Sequence, residues 1–160
     1  EVTPKLFDRF PSWKSLTNAS VEEVRTLIHG VNFHLRKRER LINAAQQVVA
    51  NFGGKLPHSV KELTTISGIA RKSANVISQE LWGVTEGIVV DTHVTRLSNR
   101  WNLTDESDAK KVEDALLKII PKEDWKFFST AVVLHGRYIC IASKPLCEEC
   151  PLNHICPTRI

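Results

Sequence analysis

The chain has 160 residues, of which 42% are hydrophobic and 25% charged, as in an ordinary soluble globular protein that forms one domain or two small ones. No apolar run approaches the length of a membrane span, and no signal peptide is visible at the start of the given sequence. The formal net charge of +4 mildly favours an anionic partner.

Helical patterns fill the first half of the chain. The predicted helices span residues 2–10, 20–30, 35–52 and 59–65. Ser20 and Glu23 have the spacing of a capping box, and glycines follow both the second and the third helix. On the third helix, the apolar residues expected to face inward are Leu41, Ile42, Ala45, Val48 and Val49.

The second half of the chain continues this helical pattern. Its predicted helices span residues 71–81, 92–97, 107–119, with Ser107 as the cap, and 124–138. The first of them has an apolar face of Ala74, Val76 and Ile77. An apolar run, Ile88-Val89-Val90, precedes Asp91. Since no convincing strand pair and no internal repeat is present, the predicted fold class is all-α.

All four cysteines lie near the C-terminal end, at Cys140, Cys147, Cys150 and Cys156. A disulfide framework is usually spread through a small secreted chain, so a metal site in a reducing compartment is the better interpretation. The spacing C-x6-C-x2-C-x5-C contains one short pair, whereas structural zinc sites usually have two. Four thiolates on one loop suit an iron–sulfur cluster. The spacing favours such a cluster over zinc, and free thiols are a distant third alternative.

Gly68 lies in a short turn directly before the helix that begins with Arg71 and Lys72. The free backbone N–H groups and the dipole of a helix N-terminus favour phosphate binding there. A solvated lysine is almost fully protonated at pH 7, so nucleophilic chemistry requires an environment that favours the neutral amine. From the residues alone, an exposed Lys72 that binds phosphate is the simpler interpretation.

Asp91 directly precedes a helix, where an aspartate most often serves as the N-cap. A capping carboxylate stays ionised and can also stabilise a nearby cation, so a structural and a catalytic role are compatible. His93 and His135 are interpreted as structural residues rather than as bases.

Three stretches together resemble the endonuclease III family of DNA repair glycosylases, in the helix–hairpin–helix superfamily. They read ISGIARKSANV (66–76), IVVDTH (88–93) and LHGRYICIASKPLCEECPLNHIC (134–156). The resemblance implies two helical lobes with a DNA cleft between them: a barrel lobe over 1–86, with the helix–hairpin–helix at 59–81, and an iron–sulfur lobe over 87–160. It also implies a [4Fe–4S] cluster held by the four cysteines of the loop 140–156.

By this resemblance, Lys72 matches the catalytic lysine and Asp91 the catalytic aspartate. Lys72 would attack C1′ of a flipped-out nucleotide, and the resulting Schiff base would permit β-elimination. The hairpin residues Gly68, Ile69, Ala70 and Arg71 and the loop residue Lys144 would bind DNA phosphates.

The implied function is a bifunctional glycosylase and abasic-site lyase that acts on oxidised pyrimidines in base excision repair. Two alternatives remain: a mismatch thymine or uracil glycosylase, and a non-catalytic DNA-binding module. The expected partner is double-stranded DNA with damaged or abasic sites, bound by a monomer; in a prokaryote the location would be the cytoplasm, at the nucleoid.

The chain departs from the family pattern at three points. Ile66-Ser67-Gly68 stands where relatives have leucine-proline-glycine, and Ala70 replaces a second glycine. An alanine forced into a left-handed conformation would cost about 1–2 kcal/mol. Relatives also carry an N-terminal segment before the point that matches Glu1, so the sequence suggests a fragment, and the activity of this exact chain can differ from that of the parent protein.

Overall fold

A computed structural model describes residues 2–159, and this part of the chain is helical without strands, which confirms the all-α class. The α-helices are α1 (Val2–Arg9), α2 (Trp13–Leu16), α3 (Val21–Leu27), α4 (His34–Phe52), α5 (Val60–Leu63), α6 (Arg71–Trp82), α7 (Thr92–Arg100), α8 (Ala109–Leu116) and α9 (Trp125–Tyr138). Single 3-10 turns occupy Lys122–Asp124 and Asn153–Ile155. Within the described range, no helix has the length and apolar character needed to cross a membrane.

Side-chain caps fix most helix starts. Ser20 accepts a hydrogen bond from the Glu23 N–H at 3.1 Å, as the capping pattern predicts. The prediction that Ser107 caps α8 is wrong, because Asp108 one residue later accepts the N–H groups of the first turn and the helix ends at Leu116. The sequence analysis also missed α2, whose four residues are too few to show a helical period.

The chain divides into two compact units, the first of which ends at Ala70. In the first unit, α4 packs against α2 and α3. The buried cluster of this unit, to which α1 also contributes, consists of Leu6, Phe10, Leu16, Val24, Ile28, Ile42 and Ala45. Ile42, Ala45 and Val48 of α4 are buried as predicted, whereas Leu41 and Val49 are only partly buried.

The second unit begins at Arg71, sixteen residues before the predicted lobe boundary at 86/87. In this unit, α7 packs against α8 and α9. Its buried cluster consists of Ile88, Val90, Val94, Leu97, Val112, Leu116 and Val132. Compact units and DNA-binding lobes need not coincide, so the lobes 1–86 and 87–160 with a cleft between them stay a prediction.

Candidate active site and metal centre

Lys72 is the second residue of α6 and is exposed at its first turn. Of the apolar face predicted for this helix, Ala74 is buried and Ile77 half-buried, but Val76 is 38% exposed. Three polar side chains are buried on the same helix, which the sequence did not predict. Each of the three donates a hydrogen bond to the chain that leads to Asp91. These bonds run from Ser78 Oγ to the Val84 carbonyl (3.0 Å), from Gln79 Nε2 to the Gly87 carbonyl (3.1 Å) and from Asn75 Nδ2 to the Ile88 carbonyl (3.4 Å). The helix that carries Lys72 therefore holds the segment that delivers Asp91.

Asp91 is the N-cap of α7 and is half-buried. Its Oδ1 accepts hydrogen bonds from the backbone N–H groups of His93 at 2.8 Å and Val94 at 3.0 Å. Both bonds are those of a helix N-cap, and they hold the carboxylate at the positive end of the helix dipole. The position of the side chain is fixed by the helix start, so the capping role found in the sequence is real and orients the carboxylate.

Lys72 and Asp91 line the same open pocket. The other lining residues are Val76, Gln79, Glu80, Val89, Ser129, Thr130, Val133, Leu134 and Arg137. Ser129 Oγ accepts the Val89 N–H at 2.9 Å, which ties α9 to the segment before Asp91. A primary amine and a carboxylate at one pocket are the groups required to attack an electrophilic carbon and to stabilise the cation that develops there.

A buried carboxylate that the sequence analysis did not single out lies beside Lys72. The side chain of Glu113, on α8, is 3% exposed and forms a bidentate ion pair with Arg71, at 2.5 Å from Nε and 3.1 Å from Nη2. Asn75 Nδ2 donates to the same carboxylate at 3.1 Å. The hydrogen bond to Glu113 raises the pKa of Arg71 above its ordinary value. The sequence did contain a signal for this buried carboxylate, because Glu113 follows Val112 on the apolar face of the predicted helix 107–119.

The hairpin glycine has the conformation that the turn requires. Gly68 has φ +81°, and a Cβ built there would lie 3.2 Å from Cβ of Arg40. The Ser67 N–H donates to Gln47 Oε1 at 2.6 Å, which attaches the hairpin to α4. Ala70 is not among the residues with positive φ, so the alanine at the second family glycine costs no left-handed strain.

The other predicted DNA-binding residues differ in their surroundings. Ile69 is half-buried, and its N–H donates to the Ile66 carbonyl at 3.0 Å within the turn. Ala70 is exposed immediately before α6, and Lys144 is exposed in the loop between the first two cysteines. Arg71 has an internal partner in Glu113, which the sequence did not reveal.

All four cysteines line one cavity, and none of them forms a disulfide within residues 2–159. No three His, Cys, Asp or Glu side chains in residues 2–159 form a group that could hold a single metal ion. Four cysteine thiolates are the donor set that iron–sulfur clusters use, so the residues that line this cavity fit such a group.

Arginines of α7 fasten the loop that carries the cysteines. Arg100 Nη1 donates to Cys140 Sγ at 3.1 Å and to the Ile141 carbonyl at 3.1 Å, and Nη2 donates to the Ala142 carbonyl at 2.9 Å. Arg96 Nη2 donates to the Cys140 carbonyl at 2.9 Å. A single helix thus presents Asp91 at its start and contacts the first cysteine of the cavity from its last turns.

His135 also lines the cysteine cavity, with Nε2 at 3.6 Å from Cys150 Sγ. Burial lowers the pKa of His135 and so favours its neutral form. Its ring is tilted against Trp101 at a centroid distance of 5.6 Å. These contacts support the structural role predicted for this histidine.

Two family profiles match the sequence. Residues 1–122 match the HhH-GPD superfamily of base excision DNA repair proteins. Residues 140–156 match the iron–sulfur binding domain of endonuclease III.

Curated relatives are similar over almost the whole chain. The sequence is 42% identical over 158 residues to endonuclease III of Synechocystis sp., a match that covers 99% of this chain and 72% of the relative. It is 31% identical over 156 residues to endonuclease III of Escherichia coli, with 98% of this chain and 74% of the relative covered.

Solved structures show the same fold. A trapped endonuclease III–DNA covalent intermediate superimposes with a TM-score of 0.91 at 32% identity, over 98% of this chain and 74% of that chain. A thermostable thymine-DNA glycosylase superimposes with a TM-score of 0.86 over 99% of this chain and 74% of that chain; at 18% identity this shows the fold alone.

Proposed function

The chain belongs to the endonuclease III family of HhH-GPD base excision DNA repair proteins, and we propose that Lys72 and Asp91 carry out its glycosylase and abasic-site lyase chemistry on oxidised pyrimidines. The observation that supports this assignment is the shared pocket of the two side chains, with the Lys72 helix hydrogen-bonded to the segment before Asp91. One amine and one carboxylate supply the nucleophile and the counter-charge that the two steps need.

In the first step, the neutral amine of Lys72 forms a bond to C1′ while the bond from C1′ to the damaged base breaks. The departing base takes the bonding electrons and a proton. The ionised carboxylate of Asp91 stabilises the positive charge that develops on the sugar. Because Asp91 is fixed by two backbone N–H groups, its orientation is set before the substrate enters.

In the second step, the C1′ adduct opens to a Schiff base with Lys72. Removal of a proton from C2′ then moves electrons towards C3′, the bond from C3′ to oxygen breaks, and the strand is nicked. Water finally hydrolyses the Schiff base and releases Lys72 as the free amine. The pocket is open, so a sugar extruded from a duplex can reach both side chains.

The cofactor is a [4Fe–4S] cluster, for which Cys140, Cys147, Cys150 and Cys156 supply the thiolates. When bound, the cluster crosslinks the loop and supplies redox chemistry. The protein's own contribution is to orient the loop, since Arg96 and Arg100 donate to its carbonyls and to Cys140 Sγ.

Double-stranded DNA is the proposed partner, in keeping with the two solved DNA complexes that this chain resembles. The N-terminus of α6, directly after the Gly68–Ala70 hairpin, and the positive charge of Lys144 favour contacts with phosphates. One chain carries both proposed catalytic residues and all four cysteines, which supports action as a monomer. DNA as substrate and thiolates as ligands support a reducing compartment, in a prokaryote the cytoplasm at the nucleoid.

Borohydride trapping on a duplex with one abasic site tests the proposal. The cluster-loaded chain should form a covalent adduct, Lys72→Ala should form none, and Lys55→Ala, which removes an exposed lysine remote in sequence, should retain it. An adduct that persists in Lys72→Ala would assign the nucleophile to another residue. Duplexes with an oxidised pyrimidine or a mismatched thymine then distinguish the proposed substrate from the mismatch alternative.

A further inference from the structure

We infer that Glu113 is a positioning residue for Lys72, and that the Arg71–Glu113 ion pair sets the charge next to its amine. The inference rests on the proposed role of Lys72 as nucleophile. Glu113 contributes no group to the pocket shared by Lys72 and Asp91, so its role is to act through α6.

The first argument is the position of the carboxylate where three segments meet. Glu113 is 2% exposed on α8, and its oxygens accept from Arg71 and Asn75 of α6. The same carboxylate lies against Gly87, at a place where any side chain would collide with it. Removing Glu113 therefore loosens the first turn of α6 and the segment that leads to Asp91 together.

A second cavity, distinct from the Asp91 pocket, brings Glu113 and Lys72 together. Asn75 also lines it, and its Oδ1 is buried without a hydrogen-bond partner in the described part of the chain. The Asn75 Oδ1 acceptor and the Glu113 carboxylate thus give the Lys72 side chain a polar environment in this cavity. Lys72 is thus a lining residue of two cavities, one containing Asp91 and one containing Glu113.

Charge balance is the third argument. A buried carboxylate is costly unless it is paired, and a bidentate guanidinium is the strongest such partner. With both members present, their charges largely cancel beside Lys72. When one member of the pair is removed, the charge of the other is uncompensated and acts on Lys72. The charged groups that line the two cavities with Lys72 are Arg71 and Glu80 on α6, Asp91 before α7, Lys110 and Glu113 on α8, and Arg137 on α9.

The inference predicts opposite effects of the two single substitutions. In Glu113→Gln, the uncompensated Arg71 favours the neutral amine, so the titration midpoint of Lys72 moves to lower pH. In Arg71→Gln, the uncompensated Glu113 moves it to higher pH. Shifts of roughly half a pH unit or more are expected when a charge that lines the same cavity as Lys72 loses its partner. The double variant Arg71→Gln/Glu113→Gln should restore the midpoint of the wild type.

The experiment is an NMR titration of 13Cε-labelled lysines in the cluster-loaded full chain, with the Lys72 signal assigned from Lys72→Arg. Asp114→Asn is the matched control, since it removes the neighbouring exposed carboxylate that pairs with Lys110. The titration requires no turnover, so it stays informative even if trapping fails and the proposed function with it. Opposite shifts that cancel in the double variant support the inference; unchanged midpoints, or shifts in one direction, overturn it.

Single-turnover trapping at saturating enzyme gives a second readout. Although more of the amine is neutral in Glu113→Gln, the trapping rate should fall by about tenfold or more at the pH optimum of the wild type, because the loosened first turn of α6 no longer positions Lys72. DNA affinity should show no matching loss. A fall in affinity alone, with the trapping rate unchanged, would overturn the positioning role.

Discussion

Glu113 Oε1 occupies the space that a side chain on Gly87 would need. The same hypothetical Cβ would also lie 3.1 Å from Asn75 Nδ2. Neither neighbour is the free end of an exposed chain, because Asn75 and Glu113 are both buried. At Gly87, the segment before Asp91 therefore lies directly against the buried side chains of Asn75 and Glu113.

Gly87→Ala is expected to lower the free energy of unfolding by about 2–3 kcal/mol, because the methyl group must displace a buried, paired carboxylate. Chemical denaturation measures this loss. Gly30→Ala is the control, since its Cβ would have only Val2 within reach, at 3.5 Å, and should change stability by less than about 0.5 kcal/mol. Equal effects of the two substitutions would contradict the close packing at Gly87.

Asp91→Asn should separate the structural from the catalytic role of Asp91. Asparagine caps helices about as well as aspartate, so the loss of stability should stay below about 1 kcal/mol. The rate of base excision should fall by about a hundredfold or more, because the amide carries no charge to stabilise the cationic sugar. Single-turnover excision assays and thermal unfolding measure the two effects.

Asp108→Asn is a matched control for this prediction. Asp108 caps α8 in the same way, with Oδ1 accepting from the N–H groups of Lys110 and Lys111 at 3.0 and 3.1 Å. It should lose similar stability and keep the excision rate. If Asp91→Asn excises bases as fast as Asp108→Asn, the charge of Asp91 has no part in the reaction.

Arg100→Gln should destabilise the cysteine loop. The substitution removes the N–H donor to Cys140 Sγ and the bonds to two loop carbonyls. Hydrogen bonds to cluster sulfurs raise the reduction potential, so the potential should fall by on the order of tens of millivolts. Protein-film voltammetry measures the potential, and the visible absorbance follows the rate of cluster loss.

The control for the arginine substitution is Arg9→Gln, which removes an exposed guanidinium paired with Glu23 at 2.7 Å. It should leave both the potential and the rate of cluster loss unchanged. A potential in Arg100→Gln equal to that of the wild type would show that the hydrogen bond to Cys140 does not tune the cluster.

DNA affinity should depend steeply on salt, because phosphate contacts release counterions. Arg40 tests this salt dependence at one residue, since the aliphatic part of its side chain lies beside the hairpin glycine Gly68. We expect its guanidinium to contact a phosphate beside the hairpin, so Arg40→Gln should lower the slope of log affinity against log salt by about one. Lys14→Gln, in the short helix α2, should leave it unchanged; an identical slope in both variants would place Arg40 outside the interface.

Local signals in the sequence recovered much of the fold. Ser20 begins its helix and Gly53 ends its helix where the pattern predicted, because a cap acts on the nearest turn and needs no distant partner. The polar face of α6 could not be predicted, since Asn75, Ser78 and Gln79 are buried only because backbone carbonyls of 84–88 lie opposite them. Hydrophobic periodicity carries no information about such partners.

The sequence by itself determined the helical class, the four cysteines and the two proposed catalytic residues, Lys72 and Asp91. The helical class and the cysteine cluster follow from residue types and spacing, whereas Lys72 and Asp91 were identified as catalytic through the resemblance of three short stretches to the endonuclease III family. Only the tertiary structure decided that these two side chains share a pocket and that Glu113 pairs with Arg71. Pairing between residues 42 positions apart depends on how helices pack, and that packing is the sum of many contacts spread over the whole chain.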